Sequence, residues 1–483
     1  MILNSFSYIF FLFIISIIYY AIPHKFRWFL LLISGIIFFL LASPQLIYIP
    51  IAIILISYYT GILLNKYQKK KLIFSIGIIS LIGILFFYKY FNFFNDSITY
   101  LLKYLGYNNS ISNISILVPL GISYITFQAI GYLIEIYQNN QLPEKKLSIL
   151  ATYFMFFPKL TAGPVERAHN FLPQLYEKHK FDYQSVTDGF KLLIWGLFKK
   201  LVIADRLAII TNSVYDNIEY YPSVTLISAT IFFTIQLYAD FSGYTDIARG
   251  SAQILGFKMM ENFNLPFIAK SSTELWRRWH ISLSSWFNEY FFTPLSISVR
   301  NWGTWGLIFA SMATFLTLGL WHGSSWGFVI FGGIQGVMLS IELVTKKLRK
   351  KARTKLPKFI NDTLGITFTF AFFSFALIFF RANTVSDAIY VITNLFTNFP
   401  TTYIDLILQL PFSQDIVTKA EFAITLIVII IIILEHYFFN KFKITNILKR
   451  KNLYFRLVIY TIVILAIIFF GVFNMSQFIY FKF

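Results

Sequence analysis

Apolar residues run along this chain in blocks of about twenty, the length a helix needs to cross the hydrocarbon of a bilayer. Such blocks lie at roughly 5–22, 27–43, 45–64, 72–89, 116–137, 188–210, 224–247, 303–321, 325–345, 362–381, 419–439 and 455–475, with shorter apolar pieces near 148–160 and 384–397. The pattern predicts an all-α polytopic transmembrane protein of about 11–13 spans, with interfacial or re-entrant helices added. The nearly uncharged stretch 90–115, rich in Asn, Tyr and Ser, is expected to be a loop.

One stretch breaks the pattern. From Ser271 to Pro294 the apolar residues Trp276, Trp279, Leu283, Trp286 and Tyr290 recur at steps of three and four, while Arg277, Arg278, Ser284, Ser285 and Asn288 fall on the other side. That spacing predicts a single amphipathic helix with an aromatic face suited to a membrane interface. Ser271 and Glu274 have the spacing of a capping box at its start, and Pro294 is expected to end or kink it. His280 then sits at the edge of the apolar stripe.

Composition sharpens this picture. Of 483 residues, 57% are hydrophobic, 20% aromatic and only 13% charged, which excludes a soluble globular domain. The net charge of +19 gathers in short loops between apolar blocks, as the positive-inside rule predicts, and points to no nucleic-acid role. The basic clusters at 66–71, 346–358 and 441–451 are expected on the cytoplasmic side. Counting spans from them places the pieces carrying Asp216, Glu219, Asp405 and Asp415, and the C-terminal end, on the outside. There is no cysteine, so disulfides, thiolate metal sites and cysteine-borne acyl intermediates are excluded. No repeat or flexible linker interrupts the chain, which reads as one membrane domain over 1–483, with a catalytic core at about 116–345 and C-terminal spans at 362–483.

The chemistry-bearing candidates are few. His322 closes a strongly apolar block and is followed by Gly323, Ser324 and Ser325, where a helix can break; an ionisable group there is a functional candidate. Imidazole is suited to take the proton of an alcohol attacking a carbonyl. The alternative is a structural histidine satisfied by a backbone carbonyl. Asp240 and Asp246, within Leu237-Tyr238-Ala239-Asp240-Phe241-Ser242-Gly243-Tyr244-Thr245-Asp246, are placed to orient an imidazole or arginine, or to stand as an ordinary helix terminus with Arg249 paired to Asp246. The Gly163-Pro164 turn after Lys159 is either re-entrant or an ordinary loop. His24, His169, His179 and His436 lie in basic or interfacial stretches and are expected to be solvated or snorkelling. No set of residues has metal-ligand spacing.

A series of short motifs resembles the membrane-bound O-acyltransferases. It comprises Pro119-Leu120-Gly121-Ile122-Ser123-Tyr124-Ile125-Thr126-Phe127-Gln128, Pro158-Lys159-Leu160-Thr161-Ala162-Gly163-Pro164, Asp240-Phe241-Ser242-Gly243-Tyr244-Thr245-Asp246, Asn262-Phe263-Asn264-Leu265-Pro266-Phe267, Trp276-Arg277-Arg278-Trp279-His280-Ile281-Ser282-Leu283 and Gly319-Leu320-Trp321-His322-Gly323. The resemblance implies a ring of tilted helices around a thinned centre, with a channel in which a cytoplasmic acyl donor meets an acceptor from the other face. It makes His322 the catalytic histidine and His280 a second essential one, with Asp240, Asp246, Arg277, Arg278, Trp279 and Trp321 supporting the site or channel.

Within that family the chain resembles the bacterial alginate and peptidoglycan O-acetyltransferase membrane subunits, of the cytoplasmic (inner) membrane. The donor implied is acetyl-coenzyme A, with no bound cofactor. The partners implied are a periplasmic or surface SGNH-hydrolase-type acetyltransferase and a polysaccharide acceptor. The ending Phe478-Ile479-Tyr480-Phe481-Lys482-Phe483 makes Tyr480 a candidate acyl relay, or else an interfacial aromatic anchor. Two rival readings stand beside this one: D-alanyl transfer to teichoic acid, and a membrane transporter without chemistry of its own.

Overall fold

The computed structural model describes residues 3–161, 163–354, 356–442, 452–473 and 478–479, all helical or irregular, with no strand among them. Tyr480 and most of the basic cluster at 441–451 lie outside the described residues. Seven helices among those described are long and apolar enough to cross a membrane, and Phe6–Ala21 and Tyr454–Phe470 are shorter apolar helices. The chain is thus a multi-pass helical membrane protein. It divides into two compact units, Met1–Leu193 with Thr245–Met260, and Ile194–Tyr244 with Glu261–Phe483.

In the first unit Ile122–Tyr137 is buried along nearly its whole length, so it is a core helix and not a lipid-facing span. The expected loop at 90–115 is half helix: Lys70–Tyr104 is continuous and 35 residues long. Its end survives because the asparagines that suggested a loop fold back onto it. Asn109 donates to Asn95 and Thr99, at 2.8 and 2.7 Å, and Asn95 donates to the Ile111 carbonyl at 3.1 Å. The Lys159 turn is no exposed loop either: Lys159 is fully buried, donates to Gln128 Oε1 at 2.8 Å and lies 3.6 Å from the centre of the Tyr153 ring. Burial holds its ammonium well below the usual lysine range, although the Glu166 carboxylate opposes this, and burial likewise pushes Glu166 up.

The second unit contains Thr304–His322, Trp326–Val344, Lys358–Arg381 and Lys419–Phe442. The first two touch backbone to backbone. A Cβ on Gly319 would lie 2.3 Å from the Phe328 carbonyl oxygen, and one on Gly332 would lie 2.2 Å from that of Phe315. Only glycine at both positions allows this approach.

The predicted amphipathic helix at 271–293 is four pieces: Ser272–Arg278, Ile281–Phe287, a π-turn at Asn288–Phe292, and Thr293–Ser298. Pro294 stands in the first turn of the last piece and so starts a helix, as a residue without an N–H can. The aromatic face packs inward instead of lying on a membrane surface. Trp276 meets Phe315 and donates its indole N–H to Gln335 Oε1 at 3.1 Å, and Trp279 meets Phe263 and Phe373.

Candidate active site

The break in the amphipathic stretch falls at His280, whose backbone is left-handed, with φ 46° and ψ 50°. For a residue with a Cβ this conformation costs about 1–2 kcal/mol, so something else must hold it. Asn262 and Asn264 do so. The Asn264 N–H donates to the Arg278 carbonyl and the Ile281 N–H to the Asn262 carbonyl, both at 2.9 Å, one tie on each side of the corner.

The Asn262 side chain then takes the place of an N-cap. His280 caps the second helix with no side-chain bond of its own, while Asn262 Oδ1 accepts from the Ser282 N–H at 3.2 Å and the Ser282 hydroxyl at 2.6 Å. The first helix is anchored at its start by Ser271, which accepts from the Glu274 N–H at 3.1 Å as predicted. The Glu274 carboxylate reaches past Ser271 to the Lys270 N–H, at 3.0 Å. Glu342 accepts the Ser272 and Thr273 N–H groups at 2.7 and 3.0 Å.

The corner carries His280 into the interior, where it is 0% exposed. Its ring lies 5.5 Å from that of Trp321, edge to face, and 4.5 Å from that of Phe241. The other side of the site comes from the end of Thr304–His322. There the His322 ring lies 5.2 Å from the same Trp321 indole and 5.3 Å from Phe380, and is 3% exposed. Two imidazoles from separate stretches thus converge on one indole. Neither ring nitrogen of His280 has a hydrogen-bond partner among the described residues. Burial, and second the neighbouring His322, hold its proton affinity well below the ordinary histidine range, so it is neutral near pH 7.

Across Phe380 from His322 lies a cavity of about 430 Å³, whose lining includes neither histidine. Phe380 and Phe328 form its apolar wall next to His322, and Ser324, Ser325, Gln236, Asn383 and Arg381 supply polar groups. Arg381 is held in place by Asn212 at 3.0 Å and Asp216 at 3.2 Å. Ile479, near the C-terminal end, also lines the cavity.

The supporting residues predicted from sequence divide. Trp321 and Trp279 are buried at or next to the site. Asp240 is buried in the second unit but orients neither an imidazole nor an arginine: its carboxylate lies 2.6 Å from Lys200 Nζ and accepts the Ile479 N–H at 2.9 Å. Asp246 belongs to the first unit and lies 3.7 Å from Arg249. Arg277 is exposed, and Arg278 is paired with Glu274 at 2.9 Å, so neither enters the cavity wall. His436 is not snorkelling: it is 2% exposed and stacks on Phe267, at 5.1 Å. His169 pairs with Glu135 at 2.6 Å, and His24 and His179 meet backbone carbonyls. No cluster able to hold a metal occurs among the described residues.

Lys200 and Asp205 went unremarked in the sequence because 188–210 reads as scaffold. The signal was present: a lysine and an aspartate inside an apolar run. Asn262 was visible in its motif, but nothing in the sequence told that its amide caps a helix twenty residues on.

The profile of the membrane-bound O-acyltransferase family matches residues 145–382, which include both histidines and the Asn262 tie. A probable alginate O-acetylase from Azotobacter vinelandii is 33% identical over 377 residues, covering 77% of this chain and 73% of that protein. A peptidoglycan O-acetyltransferase from Helicobacter pylori is 30% identical over 386 residues, covering 72% and 70%. A teichoic acid D-alanyltransferase from Bacillus subtilis is 28% identical over 277 residues, covering 54% and 68%. With its motifs in sequence order and relatives at this identity over most of their length, the chain belongs to the membrane-bound O-acyltransferase family.

Proposed function

We propose that this protein takes an acyl group, most simply acetyl from acetyl-coenzyme A, and passes it across the bacterial cytoplasmic membrane for O-acetylation of a polysaccharide. Alginate and peptidoglycan are the polymers named for its relatives. The observation that carries the reading is the pair of buried imidazoles on one indole, with a polar-walled cavity on the far side of the Phe380 ring that His322 touches.

In this mechanism His322 takes the proton of an attacking hydroxyl while its oxygen bonds to the thioester carbonyl carbon. The tetrahedral intermediate collapses, the carbon–sulfur bond breaks, and the proton returns to the departing thiolate. His280, neutral because it is buried, offers an N–H to the oxygen that gains negative charge. The first acceptor is the Tyr480 phenol, whose ester is activated for onward transfer to an extracytoplasmic SGNH-hydrolase-type transferase. Tyr480 lies outside the described residues; what supports its role is that its neighbour Ile479 lines the cavity.

The test uses purified protein in lipid nanodiscs with labelled acetyl-coenzyme A. His322→Ala is expected to lower donor turnover by about 10²–10⁴-fold, the usual worth of a general base. Wild-type turnover in that variant refutes the catalytic reading. Tyr480→Phe keeps an aromatic anchor and removes the nucleophile, so unchanged polysaccharide acetylation in it refutes the relay alone. D-alanyl transfer predicts instead that acetyl-coenzyme A is inert and that an aminoacylated carrier is consumed.

A further inference from the structure

Asp240 does two things at once inside the second unit. One carboxylate oxygen lies 2.6 Å from Lys200 Nζ, while the other accepts the backbone N–H of Ile479 at 2.9 Å, with the whole contact buried. Lys200 is held from its other side by Asp205 at 2.8 Å. The preceding residue of the tail, Phe478, is 1% exposed and stacks on Tyr244 with ring centres 4.4 Å apart. It also lies 5.7 Å from Phe241, the ring that touches His280. A buried carboxylate with a cation on one oxygen is strongly polarised, and a backbone N–H is the donor it holds on the other. The buried Ile479 N–H requires an acceptor, and the one it finds is a carboxylate fixed in place by a lysine.

We infer that the Lys200–Asp240 pair is a latch that fixes Phe478 and Ile479, and with them one wall of the cavity that Phe380 separates from His322. Asp240 is therefore a positioning residue for acyl transfer. It acts through Phe478 and Ile479, not on the reacting atoms. The latch stands on the described contacts; its consequence for transfer rests on the reading under Proposed function.

The chain has no native cysteine, so a single engineered thiol reports without background. In Ile479→Cys protein in nanodiscs, reaction with a membrane-impermeant maleimide is slow while the tail is latched. Adding Asp240→Ala removes the acceptor but leaves Lys200 paired with Asp205, so the fold stands. Labelling is then expected to quicken about tenfold or more, the shift that follows loss of a hydrogen bond to a charged group. Adding Asp205→Ala instead leaves the tail's acceptor in place, and labelling should stay slow.

Equal labelling with and without Asp240→Ala overturns the latch, and so does equal acceleration by Asp205→Ala. If Asp240→Ala frees the tail and acyl transfer continues undiminished, the latch holds, but Asp240 positions nothing for transfer and the relay through the tail falls. Should Asp240→Ala not accumulate, Phe478→Cys with and without Ile479→Pro gives the same answer. Proline deletes the donating N–H and leaves the ion cluster intact.

Discussion

Replacing Asn262 by Ala should disable the enzyme without touching either histidine. In the native protein Asn262 Oδ1 accepts the Ser282 N–H at 3.2 Å and its hydroxyl at 2.6 Å, with Asn262 1% and Ser282 0% exposed. Alanine leaves both donors buried and without this acceptor. Losing this acceptor costs about 1–3 kcal/mol for the buried N–H and about 1 kcal/mol for the hydroxyl, about 2–4 kcal/mol together. The left-handed backbone of His280 costs about 1–2 kcal/mol to maintain. The two main-chain ties on either side of the corner survive in this variant, but the helix after it loses its cap, so the His280 imidazole is expected to shift against the Trp321 indole. A displacement of about 1 Å at a catalytic group lowers the rate by about 10²-fold. The assay is acetyl-donor turnover alongside thermal unfolding, with Ser282→Ala as the companion. That variant removes only the hydroxyl and keeps the capping N–H bond, so its effect should be about tenfold smaller, matching roughly 1.4 kcal/mol. Wild-type turnover in Asn262→Ala, or a larger loss in Ser282→Ala, refutes the account.

Three further outcomes are expected. Lys200→Met strands two buried carboxylates, Asp205 and Asp240, and should cost about 3–5 kcal/mol, seen as a sharp fall in folded yield on size-exclusion chromatography. Gly319→Ala places a Cβ 2.3 Å from the Phe328 carbonyl oxygen and forces two spans apart, at about 1–3 kcal/mol; an unchanged melting temperature refutes the close-packing argument. Burial depresses the proton affinity of His280 in the folded state, so below the unfolded value of about 6.5 the unfolded chain binds a proton that the folded one does not. Stability from this group is therefore present above that pH and lost as pH falls, by up to about 1.4 kcal/mol per pH unit. The melting temperature of His280→Asn should fall less steeply than wild type between pH 7 and pH 5, and equal slopes disprove the assignment.

The helical membrane architecture was legible because a bilayer imposes one rule on every span, and apolar length alone reports it. His322 was singled out as an ionisable group where an apolar block breaks, and His280 by the motif around it; the structure buries both rings against one indole. What the sequence hid is long-range. Periodicity from Trp276 to Tyr290 predicts one helix, since nothing local marks the corner at His280. The force that makes the corner comes from Asn262 and Asn264, and a bond between distant residues leaves no periodic trace. Asp240 was singled out for the right reason, a carboxylate in an apolar helix, and given the wrong partner, because Lys200 looked like part of a span. The asparagines after residue 90 misled in the opposite sense: they satisfy a helix that they appeared to exclude.

The glycine contact between Thr304–His322 and Trp326–Val344 has a mechanical consequence. His322 rides on two long rods pressed together at their main chains, a stiff mount, whereas His280 hangs from a seven-residue helix on either side and a handful of polar ties. Warming or a loosening detergent should therefore open the gap between the rings from one direction only. Amide exchange at 281–284 is expected to outpace that at 316–319, and catalysis should fade with the faster of the two.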